Sequence, residues 1–258
     1  MGTISSNQIK FIRSLSQKKF RQESGLFVVE GEKLVNEAIA SPFKVKDIYR
    51  IENIGHECMK RISNLATPSP VLAVVEQRND ELSFCREKLL EQLLEKTSSN
   101  DSTTPSQPLF LALDGVKDPG NLGTIIRIAD WFGIDSIFAS EDTVEMYNPK
   151  VVQATMGAIF RKPVIYGNLH DIVDTFAEAG YPVYGTLLNG KNIYELNEGL
   201  NKCGLIVMGS ESFGISDALR EKITSKILIP PYPANNRTSE SLNVAIATAI
   251  ICAEFRRP

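Results

Sequence analysis

Leu109-Phe110-Leu111-Ala112-Leu113-Asp114-Gly115-Val116-Lys117-Asp118-Pro119-Gly120-Asn121-Leu122-Gly123 is the stretch on which the fold of this 258-residue chain turns. Leu109 to Leu113 form an unbroken apolar run, too short for a helix. Such a run reads as a strand buried on both faces, as in a parallel sheet. Asp114-Gly115 breaks it, and from Leu122 to Phe132 apolar residues return at helical spacing (Ile125, Ile126, Ala129). The same alternation continues downstream. Strands are predicted at 136–139, 164–166, 182–188, 205–208 and 227–229. Helices are predicted at 148–160, where Pro149 suits a first turn, and at 169–179, 215–223 and 241–255. Strands alternating with helices predict an α/β fold whose parallel sheet is covered on both faces. Ligands of such sheets bind beyond the carboxyl ends of the strands.

Upstream, residues 97–108 contain no aliphatic or aromatic side chain and read as a linker. They divide the chain into a first part, 1–96, and a second, 109–258. The first part is a smaller α/β domain. It has a predicted helix over 6–20 (Ile9, Ile12, Leu15), a strand at 26–29 and a helix at 33–40. Strands follow at 45–51 and 71–75, then a helical period over 82–96 carried by Leu89, Leu90, Leu93 and Leu94.

A composition of 43% hydrophobic and 23% charged residues excludes a disordered or collagen-like chain. With 28 Lys+Arg against 31 Asp+Glu, the whole chain lacks the basic footprint of a nucleic-acid binder. The average hides a local exception. Lys10, Arg13, Lys18, Lys19 and Arg21 fall in a stretch without an acidic residue, accompanied by Phe11 and Phe20. Such a segment suits RNA phosphates and stacking. A solvated helix face with core aromatics explains it equally well. No apolar stretch approaches the ~20 residues of a membrane span, and no signal sequence is recognised. Cys58, Cys85, Cys203, Cys252, His56 and His170 lack metal-ligand spacing. No metal is therefore expected, and a cytoplasmic location is.

Three strand-end loops hold the candidate chemistry. In the first, Gly115 to Gly123, the dinucleotide pattern GxGxxG fails at Asp118. The Walker pattern fails because Asn121-Leu122 stands where Lys-Ser/Thr would contact phosphate and metal. Asn121 reads as lying near a helix N-cap. Arg127, on an otherwise apolar helix, needs a partner, either an anionic ligand or a structural ion pair. The second loop, Gly209-Ser210-Glu211-Ser212-Phe213-Gly214, sets Glu211 at the sheet edge, where a helix N-terminus is an alternative use for it. The third runs from Ile229-Pro230 to Ser241-Leu242-Asn243-Val244. Ser239 or Ser241 could cap the last helix, with Asn243 inside its first turn.

Together these loops resemble the SpoU (TrmH) family of RNA 2′-O-ribose methyltransferases, of the SPOUT class. The resemblance spans about 109–256. The first part, through Phe27-Val28-Val29-Glu30-Gly31 and Lys33, is similar to that family's L30e-like substrate-binding domain. The resemblance implies a deep trefoil knot, S-adenosylmethionine as methyl donor, a homodimer with its active site at the interface, and ribosomal or transfer RNA as substrate. It maps Asn121, Arg127, Glu211, Ser241 and Asn243 onto catalytic motif positions, and Thr186, Leu188, Gly209, Ile229 and Leu242 onto donor-binding ones. The stretch Pro231–Glu240 departs from the shorter, glycine-bearing stretch of many members. No His or Cys lies in the three loops to act as base. A free guanidinium stays protonated, so Arg127 is expected to grip an RNA phosphate and steady the developing alkoxide. A non-catalytic RNA-binding protein on the same fold, and an ordinary doubly wound nucleotide-dependent enzyme, are the alternatives.

Overall fold

The computed structural model describes residues 4–78, 84–98, 108–195, 203–233 and 241–257. The first part opens with helices α1 (Ser6–Ser14) and α2 (Lys18–Ser24), then strand β1 (Leu26–Glu30) and helix α3 (Glu32–Ala40). Strand β2 (Val45–Arg50), short helices α4 (Ile51–Ile54) and α5 (His56–Ile62), and strand β3 (Val71–Glu76) complete it. The single helix predicted over 6–20 is thus two, parted at Leu15–Gln17, and the helices at 51–62 were not foreseen. The strands form an antiparallel sheet in the order β1-β3-β2.

Strands β1 and β3 of this sheet are buried on both faces, and β2 is its open edge. Leu26, Val28, Leu72 and Val74 face a cluster with Ile9, Ile12, Leu15, Met59 and Ile62. Phe27, Val29, Val71, Ala73 and Val75 face the other way, into a core continuous with the second part. Phe27 stacks on Tyr147, with ring centroids 4.6 Å apart, and Phe43 meets Phe160 edge-on.

The second part has strands β4 (Leu109–Asp114), β5 (Ile137–Ala139), β6 (Val164–Tyr166), β7 (Val183–Asn192), β8 (Gly204–Gly209) and β9 (Ser225–Leu228). They pair in the order β6-β5-β4-β8-β7-β9, every pair parallel. This is the predicted parallel sheet. Helices α7 (Pro119–Trp131), α8 (Pro149–Thr155) and α11 (Val244–Phe255) supply the core on one face, with Leu109, Leu111, Leu113, Ile206 and Met208. On the other face, α6 (Arg86–Ser98), α9 (Leu169–Glu178) and α10 (Asp217–Arg220) cover Phe110, Ala112, Leu205 and Val207. Leu89 and Leu93 of α6 lie in this second core and α6 packs on α9, so residues 86–98 rest on the C-terminal sheet. Of the expected linker 97–108, residues 99–107 lie outside the described residues, as do 234–240 of the third loop.

Helix α7 starts three residues earlier than its apolar period suggests. Asp118 is its N-cap, accepting from the Asn121 amide at 2.8 Å, and Pro119 occupies the first turn. Gly123 lets α7 approach α8 closely, because a Cβ there would stand 2.5 Å from the Ala154 Cβ and 2.8 Å from the Val151 carbonyl oxygen. The helix predicted over 148–160 ends at Thr155, where Met156 takes φ 51° and a short 3-10 turn, Ala158–Phe160, follows. Residues 215–223 yield only the short α10.

Candidate active site

In the sheet order, β4 and β8 are neighbours and Asp114 pairs with Gly209 at their carboxyl ends. Chain direction across the sheet reverses between them, which is where parallel sheets open a crevice for ligands. The Asp114 carboxylate accepts from the Ser216 amide at 2.7 Å and ties the loop after β8 to the end of β4.

A cavity of about 760 Å³ lies beside this point. Thr186, Leu188, Gly209, Ile229 and Leu242, the five expected donor contacts, all line it, as do Glu211, Ser241 and Asn243. Its wall at β7 arises from an irregularity. Thr186 pairs with Ile227 of β9, and so does Lys191, so residues 187–190 leave the ladder and bend over the cavity. Gly209 is required by close packing: a Cβ there would lie 2.1 Å from the Gly214 carbonyl carbon and 2.2 Å from the Ile215 nitrogen, both backbone. The loop from Ser210 to Gly214 is closed by reciprocal backbone hydrogen bonds of 3.0 Å.

One chain of hydrogen bonds joins the three loops. Asn243 Nδ2 donates to Asn121 Oδ1 at 2.9 Å, and Asn121 Nδ2 donates to Glu211 Oε1 at 2.8 Å. Glu211 also accepts from the backbone amides of Lys117 and Asp118, each at 3.2 Å. Partial burial pushes the Glu211 carboxyl up. The hydrogen bonds from Asn121 and the backbone amides outweigh this and hold it below the usual carboxylate range. Glu211 thus sits at the N-terminus of α7 with its oxygens engaged. It clamps the first loop to the second.

Asn243 lies at the N-cap of α11 and not inside its first turn. Its Oδ1 accepts from the Ala245 and Ile246 amides, which corrects the expectation that Ser239 or Ser241 holds this position. Ser241 lines the cavity without a hydrogen bond to any described residue. Arg127 is exposed on α7, outside the cavity lining, with no hydrogen bond or ion pair to the described residues. Its expected structural partner is thus absent among them, which leaves the guanidinium available to an anionic ligand. Sequence reasoning missed Asp118. The Asp-Pro pair before an apolar period was its signal.

The expected RNA contacts separate into two groups. Lys10, Lys18 and Lys19 are exposed, and Lys19 reaches Glu23 only at 3.9 Å. Arg13 is exposed while donating to the Ser63 carbonyl. Phe11 and Phe20 are also solvent-facing, so they are not core aromatics. Arg21 is a correction. It is 2% exposed, donates to Glu145 through Nε and Nη2 at 3.2 and 2.7 Å, and caps the Leu15 carbonyl through Nη1. It fastens the first part to the second and is closed to phosphate.

A cavity lined by the bulge of β7, the loop after β8 and the segments flanking β9 and α11, beyond the carboxyl ends of a parallel sheet, defines an α/β protein with a ligand-sized site at its topological switch point. Residues 108–253 match the SpoU rRNA Methylase family, and residues 6–86 match an MRM3-like substrate binding domain. The chain belongs to the SpoU rRNA methylase family. It is 31% identical to the 23S rRNA (guanosine(2553)-2′-O)-methyltransferase RlmP of Bacillus subtilis, over 97% of this chain and 96% of that protein. It is similar to an AdoMet-bound rRNA methyltransferase from Sinorhizobium meliloti (TM-score 0.80, 28% identity, 99% and 97% of the two chains). It is also similar to a TrmH-family structure from Porphyromonas gingivalis (TM-score 0.77, 36% identity, 99% of each chain).

Proposed function

We propose that this protein transfers a methyl group from S-adenosylmethionine to a ribose 2′-hydroxyl of structured RNA, ribosomal RNA before transfer RNA. The observation that carries the reading is the Asn243–Asn121–Glu211 chain at the rim of a cavity of suitable size. The cavity fits the donor: Leu188, Ile229 and Leu242 offer apolar surface, and the close packing of Gly209 on Gly214 and Ile215 fixes the loop that forms one wall. When bound, S-adenosylmethionine supplies a methyl group on a positively charged sulfur, ready for attack by oxygen.

The chain's own residues position the RNA and manage the proton. A ribose hydroxyl is a weak nucleophile at neutral pH, so placement contributes much of the rate. Ser241, without a hydrogen-bond partner among the described residues, orients the hydroxyl, and Asn243 fixes the loop that carries both Ser241 and Leu242. Arg127 binds an RNA phosphate and stabilises negative charge growing on the ribose oxygen. Glu211 is held anionic with its oxygens engaged, so the hydroxyl proton passes to water or to that phosphate.

We infer a division of labour in which the part before α6 selects RNA, through Lys10, Arg13, Lys18 and Lys19, and 109–258, with α6 packed on its sheet, hold the donor in a knotted domain. We also infer a homodimer. Supporting it, Trp131 on α7 is 85% exposed and Ile246 on α11 is 55% exposed, and these two helices pack together. A cytoplasmic setting is consistent with four unpaired cysteines.

The test is transfer of labelled methyl from S-adenosylmethionine to ribosomal RNA, with ribose methylation read by nucleoside analysis. Arg127→Ala is expected to lose transfer about 100- to 1,000-fold while keeping its fold and its donor affinity. Undiminished transfer by that variant removes Arg127 from the mechanism. Binding of the donor without transfer to any RNA favours a non-catalytic protein.

A further inference from the structure

We propose that Phe213 is a stacking platform for a nucleobase of the substrate RNA beside the target ribose, an inference that rests on the methyltransferase reading above. Phe213 sits on the rim of the donor cavity, two residues after Glu211, and is 86% exposed. A phenylalanine ring gains from covering much of its surface, so exposure at this place leaves a large apolar face without an internal partner.

The loop that carries it is braced. The Ser210 and Gly214 backbones bond to each other in both directions. Ser210 Oγ accepts from the Phe213 amide at 3.2 Å, and Arg220 Nη2 donates to the Phe213 carbonyl at 3.4 Å. Gly209 packs directly against Gly214, so the loop has little room to move. The ring is thus presented on a fixed base, and little conformational freedom remains to be lost when something covers it.

Its place at the rim selects the occupant. A group seated within the cavity meets its inner walls, formed by Gly209, Met208, Ile227 and Ile251, which are buried. Phe213 lines the cavity and is 86% exposed, so its ring is accessible to a reactant arriving at the mouth. The reactant of this reaction is RNA, and every nucleobase has a flat π-face able to stack on an aromatic ring. Trp131, equally exposed, lies on α7 outside the cavity lining and does not share this position.

The experiment compares wild type with Phe213→Ala, Phe213→Leu and Phe213→Trp as full chains, using transcribed ribosomal RNA as the RNA probe. Phe213→Ala and Phe213→Leu are expected to weaken RNA binding, and to raise KM for RNA, by about 5- to 150-fold. Affinity for S-adenosylmethionine by calorimetry should stay within about twofold, and the salt dependence of RNA binding should keep its slope, because no phosphate contact is lost. Phe213→Trp should retain transfer, and its added emission should be quenched by RNA and not by S-adenosylmethionine alone. Unchanged RNA affinity in Phe213→Ala overturns the proposal. So does a loss confined to donor affinity, which would place the ring against the donor. So does dissociation of the wild-type oligomer in the variant, which would place it against a second copy. If the wild type transfers methyl to no RNA, the methyltransferase reading fails, while the tryptophan signal still reports whether RNA stacks on this ring.

Discussion

Asn121 is the middle link between Asn243 and Glu211, and Asn121→Asp replaces one donor by an acceptor at almost constant size. In the native chain Nδ2 of Asn121 stands 2.8 Å from Glu211 Oε1. An aspartate in the same rotamer puts two carboxylate oxygens at that separation. Two unit charges so placed repel by about 1.5 kcal/mol at the dielectric of water and about 6 kcal/mol at an effective dielectric of 20. The rim is exposed, so the lower figure is the better guide, and about 1.4 kcal/mol corresponds to one pKa unit. The pair should therefore take up one proton about one pH unit above the ordinary carboxylate range of ~4. In that state the native pattern returns: the carboxylic O–H donates to Glu211, and the carbonyl oxygen accepts from Asn243. The pKa of the pair is raised, so the competent form is full below the shifted value and is lost as pH rises through it. The assay is methyl transfer from pH 5 to 8, expressed as variant over wild type so that the pH dependence of the chemistry cancels. The ratio should climb towards acid by up to about tenfold per pH unit before it levels off. Asn121→Ala, which cannot regain the donor, should give a low and level ratio. If Asn121→Asp is as level as Asn121→Ala, the hydrogen bond to Glu211 does not support activity and the proposed clamp is wrong.

Three further outcomes follow from particular contacts. Gly209→Ala forces backbone atoms of Gly214 and Ile215 to move from 2.1 and 2.2 Å of the new Cβ; donor affinity by calorimetry should fall at least about tenfold, and an unchanged affinity would show that the loop yields freely. Arg21→Met leaves Glu145 without its buried partner and should destabilise the chain by about 3–5 kcal/mol in denaturant unfolding, with Glu145→Gln added to it recovering part of the loss. Hydrogen bonds hold Glu211 and Asp142 below their ordinary carboxylate values, so their contribution is complete above about pH 4.5 and is lost as pH falls through the folded pKa values; thermal unfolding of Glu211→Gln should depend less steeply on pH below that point than wild type does.

How much of this was legible depends on how local each cause is. Leu109–Leu113 announces a strand buried on both faces, because unbroken apolar character is a property of the segment itself. The start of α7 was missed because Pro119 and Gly120 read as a loop, whereas an N-cap aspartate followed by proline is a helix opening. Asn243 was misplaced for a related reason. Composition shows an asparagine near a helix start, but its rank as N-cap is set by whether its Oδ1 receives the Ala245 and Ile246 amides. The break at Met156 was not legible, since a non-glycine residue at positive φ leaves no trace in the spacing of apolar residues. Nor was the fate of Arg21. Its partner Glu145 lies in the other part of the chain, and a charge run gives the same signal whether it faces solvent or crosses an interface. The cavity residues were found through a resemblance, because Thr186 is the last paired residue before a bulge of β7 and Leu188 stands in that bulge, which no alternation pattern reveals.

The connection between the two reactants has a physical form in these bonds. Among the described residues, the donor cavity is linked to α7 through the side chains of Glu211 and Asn243, which both end on Asn121. Asn121 lies in the first turn of the helix that carries Arg127 two turns later. Leu242 adjoins Asn243, so a molecule packed against Leu242 also steadies the cap of α11, and through Asn121 the start of α7. The aligned amides of Lys117 and Asp118 point at the Glu211 carboxylate from the other side, so the first loop is held from both ends. Neutral amides and one anion whose oxygens are engaged suit this duty. They transmit position without offering a competing base or nucleophile beside a reactive methyl group. Arg127, without an ion pair among the described residues, stands apart from the clamp, as its proposed contact with an RNA phosphate requires. Arg127 is exposed on α7, so solvent satisfies its charge and it requires no partner among the described residues, while the Glu211 carboxylate is engaged by Asn121.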